Sequence, residues 1–279
     1  MNILRRSKAL IAHGRANSTL AGTVPMHTSY MLLHQIQSPR EFPPRVDSPL
    51  GSDLASRARR WGGLVNFAWQ PDLDCEDKIP TTHHALRDGS EVYAASVFTP
   101  GHARLHFEDV SDDNIDEVSR LVRARVRAQK VREPNLEDNA VYLYVCTHGA
   151  RDCRCGEEGT RVADALREEI ARRRSADPSG PYGSFVVGEV GHVGGHQYAA
   201  NLLVFPRGDW FGMLRPENVP AVLDSLVLAN SSSVQWSTSV LAESSPLRTF
   251  WRGRAGLDKE EQLQLYQSYG SLKVPQPRM

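Results

Sequence analysis

Two short segments constrain this chain more than any others: Cys146-Thr147-His148-Gly149-Ala150-Arg151-Asp152-Cys153-Arg154-Cys155, and later His192-Val193-Gly194-Gly195-His196. Three of the four cysteines fall in the first, and two of the ten histidines flank the Gly-Gly pair of the second. Two thiols and two imidazoles make a four-donor set. Any fold that uses it must bring two distant segments to one place.

Taken alone, Cys146 reads as a buried strand residue, because Val141-Tyr-Leu-Tyr-Val145 before it is rich in β-formers and a free cysteine packs as a small hydrophobe. The clustering argues otherwise. After Cys146 the chain becomes a polar loop pivoting at Gly149, and Gly194-Gly195 lets the backbone turn closely around something, since glycine adopts positive φ without penalty. Thiolate and imidazole donors select zinc, copper or iron–sulfur chemistry over magnesium or calcium. Structural zinc sites pair ligands as C-x2-4-C with H-x3-5-H. The histidine pair fits that spacing, but C-x8-C from Cys146 to Cys155 is too wide for it and the C-x-C of Cys153 and Cys155 too narrow. The spacing favours a larger guest, and a [2Fe–2S] centre on two cysteines and two histidines is one such class.

C-x8-C followed by H-x-G-G-H, with a helix and a strand between, resembles the sucrase/ferredoxin-like family. The likeness extends to Val65-Asn-Phe-Ala-Trp69, Tyr198-Ala-Ala-Asn-Leu-Leu-Val-Phe205, Gly208-Asp-Trp-Phe-Gly212 and Trp251-Arg-Gly-Arg-Ala-Gly-Leu257, and spans residues 28 to 265. The resemblance implies a thioredoxin-like, ferredoxin-type second domain in which Cys146, Cys155, His192 and His196 hold a [2Fe–2S] cluster. Cys153 departs from the family pattern and leaves open which cysteine of the C-x-C is the ligand.

Composition narrows the rest. Lys and Arg number 33 against 33 Asp and Glu, so no net charge argues for nucleic acid. No apolar run approaches the ~18 residues that span a bilayer. Cysteines bunched in this way do not read as a secreted disulfide framework. Residues 1–40 contain Arg5, Arg6, Lys8, Arg15 and Arg40 but no acid, with Ile3, Leu4, Leu10 and Ile11 available for an apolar face. That is the composition of a mitochondrial transit peptide, expected over 1–27, with the mature protein in the matrix or intermembrane space.

The expected fold class is α/β with two domains, the C-terminal one thioredoxin-like with a mixed β-sheet. An N-terminal α/β domain covers 28–135, with strands at 30–34, 65–69 and 91–98 and helices opening near Ser52 and Ser111. On the second helix Ile115, Val118, Leu121, Val122 and Val126 share one face, and acids precede bases as the helix dipole favours. Glu133 to Asn139 reads as the connection. The ferredoxin-type domain covers 136–232, with strand 140–146, helix 159–173, strands 184–190 and 198–205, and helix 217–229. Residues 233–279 form an extension, with 230–240 extended, a short helix capped by Asp258, and frayed last residues 276–279. If the strands before the two ligand segments are parallel neighbours, the segments meet outside their carboxyl ends. Cys75, among acids, reads as unreactive, and His83 and His84 as uninvolved in metal binding. The absence of G-x-G-x-x-G and Walker loops leaves no nucleotide motif.

The functional expectation is a [2Fe–2S] redox protein, in electron transfer or redox sensing and quality control, working with an unidentified redox partner protein. It is an electron carrier more than an enzyme. The alternatives are a thiol–disulfide oxidoreductase on the same scaffold, with Arg151, Arg154 and His148 favouring a thiolate, and a structural zinc-binding module.

Overall fold

A computed structural model describes residues 20–71, 90–128, 140–230 and 236–270. Most of the expected leader, the 133–139 connection, Cys75, His83, His84 and residues 276–279 lie outside the described residues.

In chain order the first half comprises β1 (Ser29–His34), α1 (Pro49–Arg59), β2 (Gly63–Trp69), β3 (Tyr93–Phe98), β4 (Leu105–Val110) and α2 (Ile115–Arg127). The second comprises β5 (Val141–Cys146), α3 (Thr160–Ala176), β6 (Phe185–Val190), β7 (Leu202–Phe205), β8 (Asp209–Phe211) and α4 (Val219–Asn230). After these come α5 (Trp236–Leu241), β9 (Trp251–Arg254) and α6 (Lys259–Ser268). All nine strands form one mixed sheet in the order β4-β3-β1-β2-β6-β5-β7-β8-β9. β1 and β2 are parallel, as are β5 and β6, while the other neighbours run antiparallel. Each half is therefore β-α-β-β-β-α with the same neighbour order, the thioredoxin-like arrangement. They join where β2 meets β6, through Ala68↔Val190 and Trp69↔Glu189.

The burial pattern follows from this join. β1, β3 and β5 are buried at every residue, as strands covered on both faces must be. On β1, Met31 and Leu33 pack with Leu50, Leu54, Ile115, Val118 and Val122 beneath α1 and α2. On β5, Leu143 and Val145 pack with Leu166, Ile170, Leu223 and Leu226 beneath α3 and α4. The alternate residues Tyr30, Leu32, Tyr142 and Tyr144 share a third core with Phe98 and Phe205. Phe98 of β3 stacks on Phe205 of β7 at 4.2 Å between centroids, so the sheet curls until its halves face each other.

Several elements depart from expectation. Strands β4, β8 and β9 were not expected: β8 has three residues, and β9 reads Trp-Arg-Gly-Arg, with no apolar alternation to betray it. Residues 236–241 are helical, where an extended segment was expected, because Trp236 is drawn inward by its Nε1 bond to Asp209 at 2.6 Å. Leu121 is exposed, so the inner stripe of α2 is narrower than its spacing suggested. Residues 198–201 are not strand, since a short 3-10 turn at His196–Tyr198 precedes β7. The capping of α6 by Asp258 is as expected, through a reciprocal bond pair with Glu261.

Candidate metal centre

Cys146 is the last residue of β5 and pairs in parallel with Val190, the last of β6. The loop after β5 and the loop after β6 therefore leave the sheet side by side. Two glycines let the first loop close on itself. A Cβ at Gly156 would lie 2.6 Å from Gly149 Cα, and one at Gly159 would lie 2.0 Å from the Cys146 carbonyl oxygen. Only bare backbone allows this approach, and it lays the start of α3 against the end of β5. Cys155 sits there in a π-helical turn, Cys155–Gly159, a local widening that often marks a functional site.

The result is a cluster of donors. Cys146 Sγ, Cys155 Sγ and a His192 ring nitrogen all lie within 4.8 Å of one another. Both cysteines are fully buried, and His192 Nδ1 is buried with no hydrogen-bond partner among the described residues. The hydrogen bond from Cys155 holds the Cys146 thiol down, to about 5, against the opposing effect of burial; His192 and the N–H groups of Val193 and His148 add to it. The same bond and its own burial push the Cys155 thiol up. One thiolate is thus already favoured at this point.

The other expected site residues fall at the margin. His196 lies outside that trio: its side chain is half exposed and its ring stacks on His192 at 5.7 Å between centroids. Its Nδ1 faces Asp152 Oδ2 at 3.5 Å. Asp152 is in turn gripped by Arg154, which holds its carboxyl down to about 2. Cys153 is exposed and is not part of the trio.

Sequence reading missed the groups that hold the two loops in register. His148, expected only to favour a thiolate, is buried and makes a 2.9 Å contact with the Pro43 carbonyl through Nε2. Its Nδ1 accepts the His192 N–H at 3.3 Å, which ties the histidine turn to the cysteine loop. On β2, Asn66 Nδ2 donates to the carbonyls of Gly191 and His192 and to the Tyr30 hydroxyl. Behind the loop Glu189, wholly buried, accepts from Ser38, Thr147, Arg40 and Arg167. Arg40 also bonds Asp164 of α3. A polar residue inside a strand signals such a hub, but nothing in the sequence names its partners.

Comparison with known proteins finds relatives over part of the chain. The chain is 30% identical over 114 residues to Altered inheritance of mitochondria protein 32 of Meyerozyma guilliermondii, covering 40% of this chain and 38% of that protein. It is 34% identical to the protein of the same name from Eremothecium gossypii, covering 32% of this chain and 29% of the relative. To Actin patches distal protein 1 of Saccharomyces cerevisiae it is 27% identical, covering 47% and 42%. The match thus spans less than half the length of each of these relatives. Among solved structures, a thioredoxin-like [2Fe–2S] ferredoxin from Aquifex aeolicus is 20% identical with a TM-score of 0.27, covering 34% of this chain and 86% of that one. The sucrase/ferredoxin-like family model matches residues 20–252, a stretch that contains both ligand loops and the strands that carry them, and the chain belongs to that family.

Proposed function

We propose that this chain is a [2Fe–2S] redox protein that holds its cluster with Cys146, Cys155, His192 and His196 and exchanges electrons with a partner protein in mitochondria. One observation carries the reading: two buried sulfurs and an imidazole converge within 4.8 Å, and the imidazole's buried Nδ1 finds no hydrogen-bond partner among the described residues. A buried polar atom left unpaired is costly, and a soft metal centre is what thiolates and an imidazole take up together. Bound there, a [2Fe–2S] cluster supplies a one-electron carrier. His196, with Nδ1 toward Asp152, keeps Nε2 for coordination, the carboxylate–histidine–metal arrangement that orients such ligands. Gly194 and Gly195, both at positive φ, form the turn between the two histidines.

Two observations support the mitochondrial setting: the acid-free start and the name shared by the Meyerozyma and Eremothecium relatives. A leader there would end before Ala21, because Ala21, Val24 and His27 are buried in the fold. The compartment proposed is the matrix or intermembrane space.

The closeness of the Cys146 and Cys155 sulfurs also favours a second reading, thiol–disulfide exchange, although full burial of both sulfurs weighs against a reactive thiolate. Anaerobic purification with iron, sulfide and zinc assays separates the readings. The expected result is about two iron and two sulfide per chain. Cys146→Ser, Cys155→Ser and His192→Ala should lose them, while Cys153→Ser keeps them. Zinc alone would replace the proposal with a structural metal site, and a metal-free chain with a cycling disulfide would replace it with thiol exchange.

A further inference from the structure

Arg252 on β9 is 2% exposed, yet among the described residues it forms no ion pair. Its Nη1 donates to Asn201 Oδ1 at 2.6 Å, its Nε to Thr23 Oγ1 at 3.1 Å and its Nη2 to the Thr23 carbonyl at 3.0 Å. The guanidinium also lies over the rings of Tyr198 and Trp210, at 4.5 and 5.8 Å from their centroids. Every one of these partners is neutral. Arg254, two residues on in the same strand, is different: it bonds both carboxylate oxygens of the buried Asp209. Burying a charge without a counter-charge is strongly unfavourable, so an arginine kept this way calls for a negative charge elsewhere.

Its surroundings indicate where. A Cβ at Gly195 would lie 2.4 Å from Arg252 Nη2, so the histidine turn rests directly on the guanidinium. Asn201, which accepts from Arg252, donates its Nδ2 to the Gly195 carbonyl at 3.1 Å. The Asn201 backbone carbonyl accepts the N–H of Cys146 at 3.0 Å. Through one asparagine, then, the guanidinium is fastened to both ligand segments. Burial pulls its pKa down to about 10, while Tyr198 and the Cys146 sulfur act in the opposite direction.

We propose that Arg252 is the fixed counter-charge of the centre, a positioning residue that seats the histidine turn and stabilises the negative charge arriving with an electron. The inference rests on the cluster reading above. Two ferric ions and two sulfides on two thiolates and two neutral imidazoles carry no net charge. One electron from an external one-electron donor leaves the assembly with one negative charge, and at Arg252 no bond breaks and no proton moves. The guanidinium therefore favours the reduced form and raises the reduction potential.

The test is an anaerobic redox titration of the loaded full chain, with dithionite as donor, alongside iron and sulfide assay and thermal unfolding. Arg252→Gln should shift the reduction equilibrium about tenfold toward the oxidised form, about 59 mV for a one-electron couple. Arg252→Lys, which keeps the charge, should stay within about twofold of wild type. A loaded R252Q protein with wild-type potential but lower thermal stability would reduce Arg252 to a packing role and overturn the inference. Should R252Q fail to load, Asn201→Asp decides the matter by setting a carboxylate against the guanidinium that remains in place. A lowered potential supports the inference and an unchanged one overturns it. Failure of the wild-type chain to hold iron and sulfide would instead overturn the cluster reading itself, so the two failures are distinct.

Discussion

His34 and Cys146 occupy the same place in the two halves of the sheet. Each ends the first strand of its half and pairs in parallel with the neighbouring strand, His34 with Ala68 and Cys146 with Val190. The chain then does different things. After Cys146 it turns back within a few residues, brought close by Gly149, Gly156 and Gly159, and presents Cys155 to its own strand end. After His34 it reaches across the join. Ser38 and Arg40 bond Glu189 of β6, and the Pro43 carbonyl meets His148. One topology thus serves as a donor set in the second half and as a brace in the first. A close strand-to-helix turn brings donors together, whereas a long one frees side chains to hold a neighbour.

The comparison breaks most easily at its joint. Glu189→Ala would leave Arg40 and Arg167 without their shared carboxylate, and removing one partner of a buried pair costs about 3–5 kcal/mol. Chemical denaturation checks it, and a loss below about 1 kcal/mol would show that the brace is not what joins the halves. The same group sets an acid limit. Burial works to raise the Glu189 carboxyl, but Arg40, Ser38 and Arg167 outweigh it and hold it below the ordinary glutamate value. The unfolded chain therefore takes up the proton first as pH falls. The stabilisation is complete above the ordinary glutamate pKa, about 4.3, and fades as pH drops through the folded value. Glu189→Gln should flatten the stability curve in that window.

A smaller effect is expected inside the donor half. Gly159→Ala forces a Cβ to within 2.0 Å of the Cys146 carbonyl, so α3 must move off β5, at about 1–3 kcal/mol by analogy with overpacked cores. Gly183→Ala, where a Cβ meets nothing within 4 Å, is the control and should be close to neutral. Equal stabilities for the two variants would mean that the close approach is not needed. Smallest of all is Asp152→Asn, which should leave thermal stability at the wild-type value. Its expected effect is faster loss of iron to a chelator, because His196 loses the carboxylate facing its Nδ1. Unchanged iron loss would remove Asp152 from the site.

Much of this was legible beforehand. Strands β1, β2, β3, β5 and β6 announce themselves as apolar runs, and α2, α3 and α6 by spacing and end charges. Segment by segment the candidate donors were legible too, because thiols and imidazoles are the side chains that take up soft metals. β8 and β9 were not, since their stabilisation comes from partners distant in sequence: Trp236 and Trp251 both donate to Asp209, and Arg254 pairs with it. The bracing roles of His148 and Asn66 were not legible for the same reason, since both act through bonds to backbone far along the chain.

Local sequence determined what is available: which stretches pair as strands, where the backbone can turn tightly, and which atoms can grip a soft metal. These follow from steric and chemical preferences that act within a few residues. Only the tertiary structure decided which donors meet. It set Cys155 rather than Cys153 beside Cys146, left His196 at the rim facing Asp152, and placed Arg252 beneath the histidine turn while Arg254 found Asp209. Those outcomes depend on the parallel register of β5 and β6 and on the curl of the sheet, and long-range packing sets both.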